Sequence, residues 1–132
     1  MSCDADLMAV HCLIVDDNGE FLAAARTLLE QEGLTIVGEA STSADALRKV
    51  ELLRPDVVLV DVSLGEESGL ELARRLVGDP ARDATVILIS TRSEGELADV
   101  IATSPAAGFL SKPELSADAI HGFLDGNQRA SR

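Results

Sequence analysis

Short apolar runs alternate with longer amphipathic segments along most of the chain. The runs are nearly unbroken stretches of mainly Val, Ile and Leu, at positions 10–15, 34–39, 57–60, 85–89 and 107–110. Strands that are buried on both faces of a parallel sheet have this pattern, because neither face needs polar residues. The chain therefore predicts five buried, parallel strands.

The segments between these runs have the length and periodicity of helices. They lie at residues 20–32, 43–53, 67–77, 94–103 and 115–125. In the first segment, Gly33 follows the last turn, and the apolar stripe consists of Phe21, Leu22, Ala25, Leu28 and Leu29. Ser43 is the predicted N-cap of the second helix. Five strands that alternate with five helices predict a three-layer α/β sandwich with right-handed crossovers.

The pattern predicts one domain, at residues 9–125, between flexible tails at 1–8 and 126–132. No linker, repeat or low-complexity tract divides the 132 residues. Cys12 is interpreted as a small core residue, and Cys3 lies in an acidic start that lacks the basic residues of a signal peptide. We expect a reduced, cytoplasmic protein.

The charge balance narrows the possible partners. The chain has 23 acidic against 11 basic residues, a net charge of −12, and neither Trp nor Tyr. Such a surface repels phosphate backbones and anionic lipids, so we expect neither direct nucleic-acid binding nor membrane binding. The helix acids Glu30 and Glu32 are interpreted as solvated. A bound cation or a basic partner surface is the expected counterpart.

Acidic, hydroxyl or amine side chains follow four of the five predicted strands. Asp16 and Asp17 follow the first strand, Asp61 the third, Ser90 the fourth and Lys112 the fifth. Ligands of open α/β sheets bind outside the carboxyl ends of the strands, so these groups are expected to share one edge.

The mutual repulsion of three carboxylates at one edge must be offset by positive charge. Two unit charges 4 Å apart repel by roughly 4 kcal/mol at an effective dielectric constant near 20. Lys112 relieves part of this repulsion, and a divalent cation such as Mg²⁺, which prefers carboxylate and water ligands, would relieve more. Asp61 would then lie beside the metal as a carboxylate nucleophile toward phosphorus.

These residues occur in motifs that resemble the receiver domain of two-component response regulators, over roughly residues 9–125. The motifs are DD at 16–17, VLVDVSLGEESG with Asp61 and Gly69, ILIST with Ser90, and GFLSKP with Phe109, Lys112 and Pro113. The resemblance implies a flavodoxin-like, doubly wound fold whose five-stranded parallel sheet has the order 2-1-3-4-5, with five helices.

The resemblance also implies a mechanism. Asp61 would accept a phosphoryl group from a sensor histidine kinase or a histidine phosphotransfer protein. Asp16, Asp17, Asp61 and the Ser63 backbone carbonyl would hold Mg²⁺, with Mn²⁺ as an alternative. Apart from self-phosphorylation and autodephosphorylation, no enzymatic activity is expected.

Four further positions have roles that the resemblance implies. Lys112 and the Ser90 hydroxyl would contact the phosphoryl group, and Phe109 would be the switch aromatic that rotates inward. The Lys112–Pro113 peptide is expected to be cis, which would fix the position of Lys112, and Gly69 is expected to be structural.

The chain departs from the family pattern around the predicted phosphorylation site. Leu64 and Gly65 replace a common Met-Pro turn, so this loop has more conformational freedom. Thr91 stands where the family usually has a very small residue, and we expect it to restrict the access of water. Arg92 is a second candidate for modulating that access.

The chain is expected to be a stand-alone receiver of the chemotaxis type, and its predicted output is a change in protein contacts. The first helix, around 18–29, would bind the kinase, and the face built from 94–125 would bind a downstream protein or a second copy of the chain. One alternative is that the chain is the receiver of a longer DNA-binding response regulator. A second is a Mg²⁺-dependent phosphatase with an aspartyl-phosphate intermediate, although Asp16-Asp17 does not match its usual D-x-D pattern. A third is a receiver-like module that acts without phosphorylation.

Overall fold

A five-stranded parallel sheet forms the centre of the protein. In a computed structural model, the described residues are 10–64, 67–78, 84–91, 98–103 and 106–130. The strands are β1 (His11–Val15), β2 (Thr35–Ala40), β3 (Val57–Asp61), β4 (Thr85–Ser90) and β5 (Gly108–Ser111). Their order is β2-β1-β3-β4-β5 and all neighbours are parallel, which confirms the predicted doubly wound topology.

Five α-helices connect or follow these strands in the described part of the chain. They are α1 (Gly19–Gln31), α2 (Ser43–Leu53), α3 (Gly69–Gly78), α4 (Ala98–Thr103) and α5 (Ala117–Ala130). A 3₁₀ turn at Lys112–Glu114 precedes α5, and two short antiparallel strands, Ser63–Leu64 and Glu67–Ser68, precede α3. None of the helices that the structure describes is long and apolar enough to cross a membrane.

The sheet separates two hydrophobic clusters. Cys12 and Ile14 face the cluster that includes side chains of α1 and α5, whereas Leu13 and Val15 face the cluster of α2 and α3. Because successive side chains of a strand point to opposite faces and both faces are covered, β1 is apolar at each of its four buried positions, 12–15. Burial also raises the pKa of the Cys12 thiol to about 12, so this residue is a neutral core group, as predicted.

The helix boundaries correct several details of the sequence analysis. Thr42, not Ser43, is the N-cap of α2, because Thr42 has extended backbone angles and its hydroxyl accepts from the Asp45 amide. Leu28 is 38% exposed and does not belong to the buried stripe of α1. The predicted end of the last helix at 125 is wrong, since α5 continues to Ala130.

The predicted start of the third helix at residue 67 is also wrong, because residues 67–68 belong to a short strand and α3 begins at Gly69. The prediction for Gly33 is confirmed, since it follows α1 with a φ of 102°, a conformation that glycine adopts without steric cost. The segment 1–8 and positions 94–97 lie outside the described residues.

Glu32 connects the end of α1 to the start of α5. Its Oε1 accepts a hydrogen bond of 2.7 Å from the backbone N–H of Ala117, the first residue of α5. The first amides of a helix have no partner within the helix, so a carboxylate at this point satisfies one of them and also interacts favourably with the helix dipole. Glu32 is exposed, as interpreted from the sequence, but its carboxylate also caps α5, which the sequence analysis did not predict.

We expect Glu32→Ala to lower the free energy of unfolding by about 1 kcal/mol, because the Ala117 amide loses its acceptor. Urea unfolding followed by circular dichroism measures this change. Glu30→Ala is the matched control: it removes only an exposed ion pair with Arg26, which is worth less than about 0.5 kcal/mol. Equal losses in the two variants would contradict the capping role.

Candidate functional site

The pairing of the strands brings the predicted site residues to one edge of the sheet. Asp16 directly follows β1, Asp61 ends β3, and Ser90 ends β4. Val15 is paired with Val60, so the carboxyl ends of β1 and β3 are level. Ser90 is likewise paired with Ser111, the residue before Lys112, so the fifth strand ends at the same level.

Three carboxylates lie together at this edge. Asp16, Asp17 and Asp61 each offer one carboxylate oxygen, and these oxygens lie within 4.8 Å of one another. Asp16 has no exposed surface and Asp61 is 8% exposed, whereas Asp17 is exposed. The sequence analysis predicted this cluster, and its geometry can hold a cation.

The two oxygens of Asp16 have different environments. Oδ1 accepts a hydrogen bond of 2.8 Å from the Asn18 amide. Oδ2 is buried and lies 2.5 Å from Lys112 Nζ, but it accepts no hydrogen bond of acceptable geometry from any residue that the structure describes. Oδ2 therefore forms a close charge pair and retains capacity for a further ligand.

Lys112 is placed between the two buried carboxylates. Its Nζ also donates to Asp61 Oδ2 at 3.4 Å, and only 10% of its side chain is exposed. The ammonium lies 4.3 Å from the centroid of the Phe21 ring. The sequence analysis assigned Phe21 to the core stripe of α1 and did not identify this contact, because periodicity gives no information on which distant side chain meets the ring.

The environment of Asp61 disfavours its ionised form. Burial raises the pKa of its carboxyl group above the usual value, and the negative charge of Asp16 raises it further. The positive charge of Lys112 and a hydrogen bond of 3.3 Å from the Ser63 amide act in the opposite direction. In the absence of a cation, burial and charge repulsion therefore dominate at Asp61.

The donor set fits a hard divalent cation. All three side-chain donors are carboxylate oxygens, and the buried Asp16 Oδ2 lacks a hydrogen bond. Mg²⁺ in proteins is held by one or a few carboxylates, with water and phosphate oxygens in the other positions. The contribution of the Ser63 carbonyl stays a prediction.

The remaining predicted residues are placed as follows. Ser90 is 7% exposed, and the adjacent Thr91 is exposed beside the same edge. Phe109 is 8% exposed and belongs to the cluster on the α2 and α3 side of the sheet, so its ring is directed inward. Arg92 lies outside the described residues. The roles assigned to these residues stay predictions.

The prediction of a cis peptide before Pro113 is wrong. No peptide bond among the described residues is cis, including Lys112–Pro113. Pro113 lies in the first turn of the 3₁₀ helix Lys112–Glu114, where its fixed φ is tolerated in the trans form, which is also the intrinsic preference of X–Pro bonds.

Gly69 is required by close contact with the backbone after β3. A Cβ atom at this position would lie 1.8 Å from the carbonyl oxygen of Asp61. The Gly69 amide also donates to the Val62 carbonyl at 2.9 Å. The predicted structural role of Gly69 therefore has a steric basis, because only glycine permits α3 to begin directly against the segment that carries Asp61.

The chain belongs to the response regulator receiver domain family, whose profile matches residues 12–123. It is 33% identical over 123 residues to the response regulator UvrY of Escherichia coli K12, covering 90% of this chain and 56% of UvrY. It is 29% identical over 105 residues to the DNA-binding transcriptional activator EvgA of the same strain, covering 80% of this chain and 51% of EvgA. The chain thus spans about half the length of the curated relatives it matches.

A solved structure shows the same architecture. A response regulator protein from Burkholderia pseudomallei, determined with a phosphorylated aspartic acid, a calcium ion and citrate, is 26% identical with a TM-score of 0.72. The similarity covers 87% of this chain and 66% of that one. Family and fold together favour the receiver prediction over the aspartyl-phosphate phosphatase.

We expect Gly69→Ala to lower the free energy of unfolding by about 1–3 kcal/mol, because the new methyl group must displace backbone rather than a flexible side chain. Gly78→Ala is the matched control at the other end of α3, where an added Cβ meets nothing within 4 Å. Chemical denaturation compares the two, and an unchanged stability of Gly69→Ala would contradict the close contact.

We expect metal-free Asp61→Asn to melt a few degrees above the wild type at pH 7. A raised pKa in the folded state means that stability falls as pH rises from the ordinary aspartate value through the raised value. Above this window the wild type carries the full cost of the ionised carboxylate, which asparagine removes. The difference should shrink as the pH is lowered through the window.

Thermal unfolding in a chelator at a series of pH values measures this effect. Asp118→Asn, at an exposed position in the first turn of α5, controls for the general relief of negative charge and should not raise the melting temperature. An Asp61→Asn protein that melts below the wild type would show that Lys112 dominates the electrostatics of the site.

Proposed function

We propose that the chain accepts a phosphoryl group on Asp61 from a phosphohistidine of a histidine kinase or phosphotransfer protein, and that this modification changes its contacts with other proteins. The observation that carries the proposal is the convergence of the Asp61 carboxylate with Asp16, Asp17 and Lys112 at one edge of the sheet. The Burkholderia pseudomallei neighbour with a phosphorylated aspartic acid and a calcium ion supports the same chemistry.

The proposed transfer is a displacement at phosphorus. A carboxylate oxygen of Asp61 forms the new O–P bond, while the P–N bond to the donor histidine breaks and its electron pair returns to the imidazole nitrogen. Phosphoryl transfer depends mainly on positioning and on stabilising the charge of the transferred group, rather than on covalent help from the protein. The buried edge of the sheet provides such a fixed environment.

Lys112 is positioned to contact the transferred group. It already donates to Asp61 Oδ2, so its ammonium lies beside the carboxylate that would carry the phosphoryl group. A fixed cation in a partly desolvated site stabilises the negative phosphoryl oxygens more strongly than a cation in water. Ser90, at the end of the adjacent strand, would supply a hydroxyl to the same group.

Asp16, Asp17 and Asp61 would hold Mg²⁺, or Mn²⁺ as an alternative, which supplies further positive charge to the phosphoryl oxygens when bound. The chain's own part in this is to hold the three carboxylates close together at the edge of the sheet. We propose no turnover of other substrates, so that self-phosphorylation and autodephosphorylation are its only reactions.

The exposed face of α1 is the proposed kinase contact. Ala23, Ala24 and Leu28 are exposed there beside Thr27 and Gln31. Small and apolar side chains on an otherwise acidic protein suit the packing of a partner helix. The proposed output face at 94–125 is supported by the family resemblance alone. Cytoplasmic location and the lack of direct nucleic-acid binding by this segment also stay predictions.

The coverage of the relatives favours one alternative. EvgA is a DNA-binding transcriptional activator, and the similarity covers about half of it. The sequence can therefore be the receiver of a longer regulator, in which phosphorylation of Asp61 would control DNA binding by another domain. The phosphoryl acceptor and its chemistry are the same in both versions.

We expect one phosphoryl adduct on the wild type when it is incubated with a small phosphodonor and Mg²⁺, and none on Asp61→Asn. Intact mass spectrometry measures the adduct, and added chelator should abolish it. Asp118→Asn is the control, because it removes a carboxylate outside the site and should be modified like the wild type. An adduct that persists in Asp61→Asn would overturn the assignment of the nucleophile.

A further inference from the structure

Among the described residues, three groups lie close to the Lys112 ammonium. Asp16 Oδ2 lies at 2.5 Å, Asp61 Oδ2 at 3.4 Å, and the centroid of the Phe21 ring at 4.3 Å. The face of an aromatic ring carries partial negative charge and attracts a cation within about 6 Å, more strongly where water is excluded. With only 10% of its side chain exposed, Lys112 is largely shielded from water.

Local hydrogen bonds connect the backbone of Phe21 to the acidic site. Asp16 Oδ1 accepts from the Asn18 amide, and Asn18 Oδ1 accepts from the amides of Glu20 and Phe21 at 3.0 and 3.2 Å. The ring also packs against the hydrophobic cluster on the α1 side of the sheet. Asn18 is thus the N-cap of α1 and the link between Asp16 and Phe21, so the ring has a defined position beside the carboxylates.

The Phe21 ring and the carboxylates attract the Lys112 ammonium in different ways, and this difference matters for phosphoryl transfer. A divalent cation at Asp16, Asp17 and Asp61 would compete with Lys112 for the same negative charge. The Lys112 side chain is then held less strongly, because ordering a long, flexible side chain costs conformational entropy. The attraction of the ring face does not depend on the charge of the carboxylates.

We propose that Phe21 is a positioning residue, whose ring face holds the Lys112 ammonium at the phosphorylation site when the carboxylates bind a divalent cation. The role in transfer rests on the proposed phosphorylation of Asp61. Phe21 itself touches none of the reacting atoms and acts only through Lys112.

The contact between ring and ammonium can be measured without phosphorylation. The chain has only two lysines, Lys49 and Lys112, so each gives its own ε-methylene signal in the NMR spectrum. Protons above a ring face are shifted upfield by the ring current. Lys49, which contacts the Glu39 carbonyl and Asp45, is the internal reference.

In metal-free wild type we expect the Lys112 ε-protons clearly upfield of those of Lys49. Phe21→Tyr should keep this shift and Phe21→Leu should remove it. The amide spectrum of each variant confirms that it is folded. Wild-type Lys112 protons at the position of the Lys49 signal would overturn the proposal.

The role in transfer is tested by weakening the ring face without changing its shape. Phenylalanines with one, two and three ring fluorines at position 21 withdraw electron density progressively. We expect the rate of Mg²⁺-dependent phosphorylation by a small phosphodonor to fall stepwise along this series. Phe21→Leu should be about three- to tenfold slower than wild type, and Phe21→Tyr should restore the rate.

The same fluorinated residues at Phe123, whose ring lies against Gly108, control for fluorination itself. A rate that is independent of fluorination at Phe21, combined with a slow Phe21→Leu, would show a packing role only and overturn the proposal. A wild type that accepts no phosphoryl group overturns the proposed function and the role of Phe21 in transfer. In that case the chemical shift of the Lys112 ε-protons still shows whether the ring contacts the ammonium, so the two failures can be distinguished.

Discussion

The candidate site depends on the placement of three carboxylates beside the Lys112 ammonium at one edge of the sheet. Asp16 has no exposed surface, so neither its charge nor that of the neighbouring Asp61 is relieved by water alone. Lys112 offsets one of the negative charges and leaves the site anionic. The topology of the sheet imposes this arrangement, because adjacent parallel strands end at the same edge. Carboxylates that are held together in this way cost stability, as the side chains of functional sites often do.

Much of the scaffold around this site could be predicted from the sequence. The unbroken apolar runs identified all five strands, and the residues that follow them identified the acidic cluster and Lys112. The strands could be predicted because a strand that is buried on both faces is an uninterrupted run of apolar residues. The site residues could be predicted because a residue that follows such a strand must lie at the carboxyl edge of the sheet. Gly69 could also be predicted from its motif, although its steric reason required the coordinates.

The details that could not be predicted depend on contacts between distant parts of the chain. Phe21 fits the periodicity of α1, and nothing local shows that its ring faces Lys112. Glu32 looks like an ordinary helix acid until the start of α5 is placed beside it. The N-cap of α2 was misassigned because Thr42 and Ser43 are both capable of capping, and the backbone conformation decides between them. The trans form of Lys112–Pro113 agrees with the intrinsic preference of X–Pro bonds, and the cis form was expected only from the family resemblance.

The hydrogen bond between Glu32 and Ala117 connects two helices without involving the sheet. One end of this connection lies directly after the helix proposed to bind the kinase, and the other is the first turn of the last helix in the domain. A partner that shifts α1 along its axis therefore changes the length of this hydrogen bond, whatever the state of Asp61. A displacement of α1 is thus linked directly to the start of α5, through one hydrogen bond that bypasses the acidic cluster at the edge of the sheet.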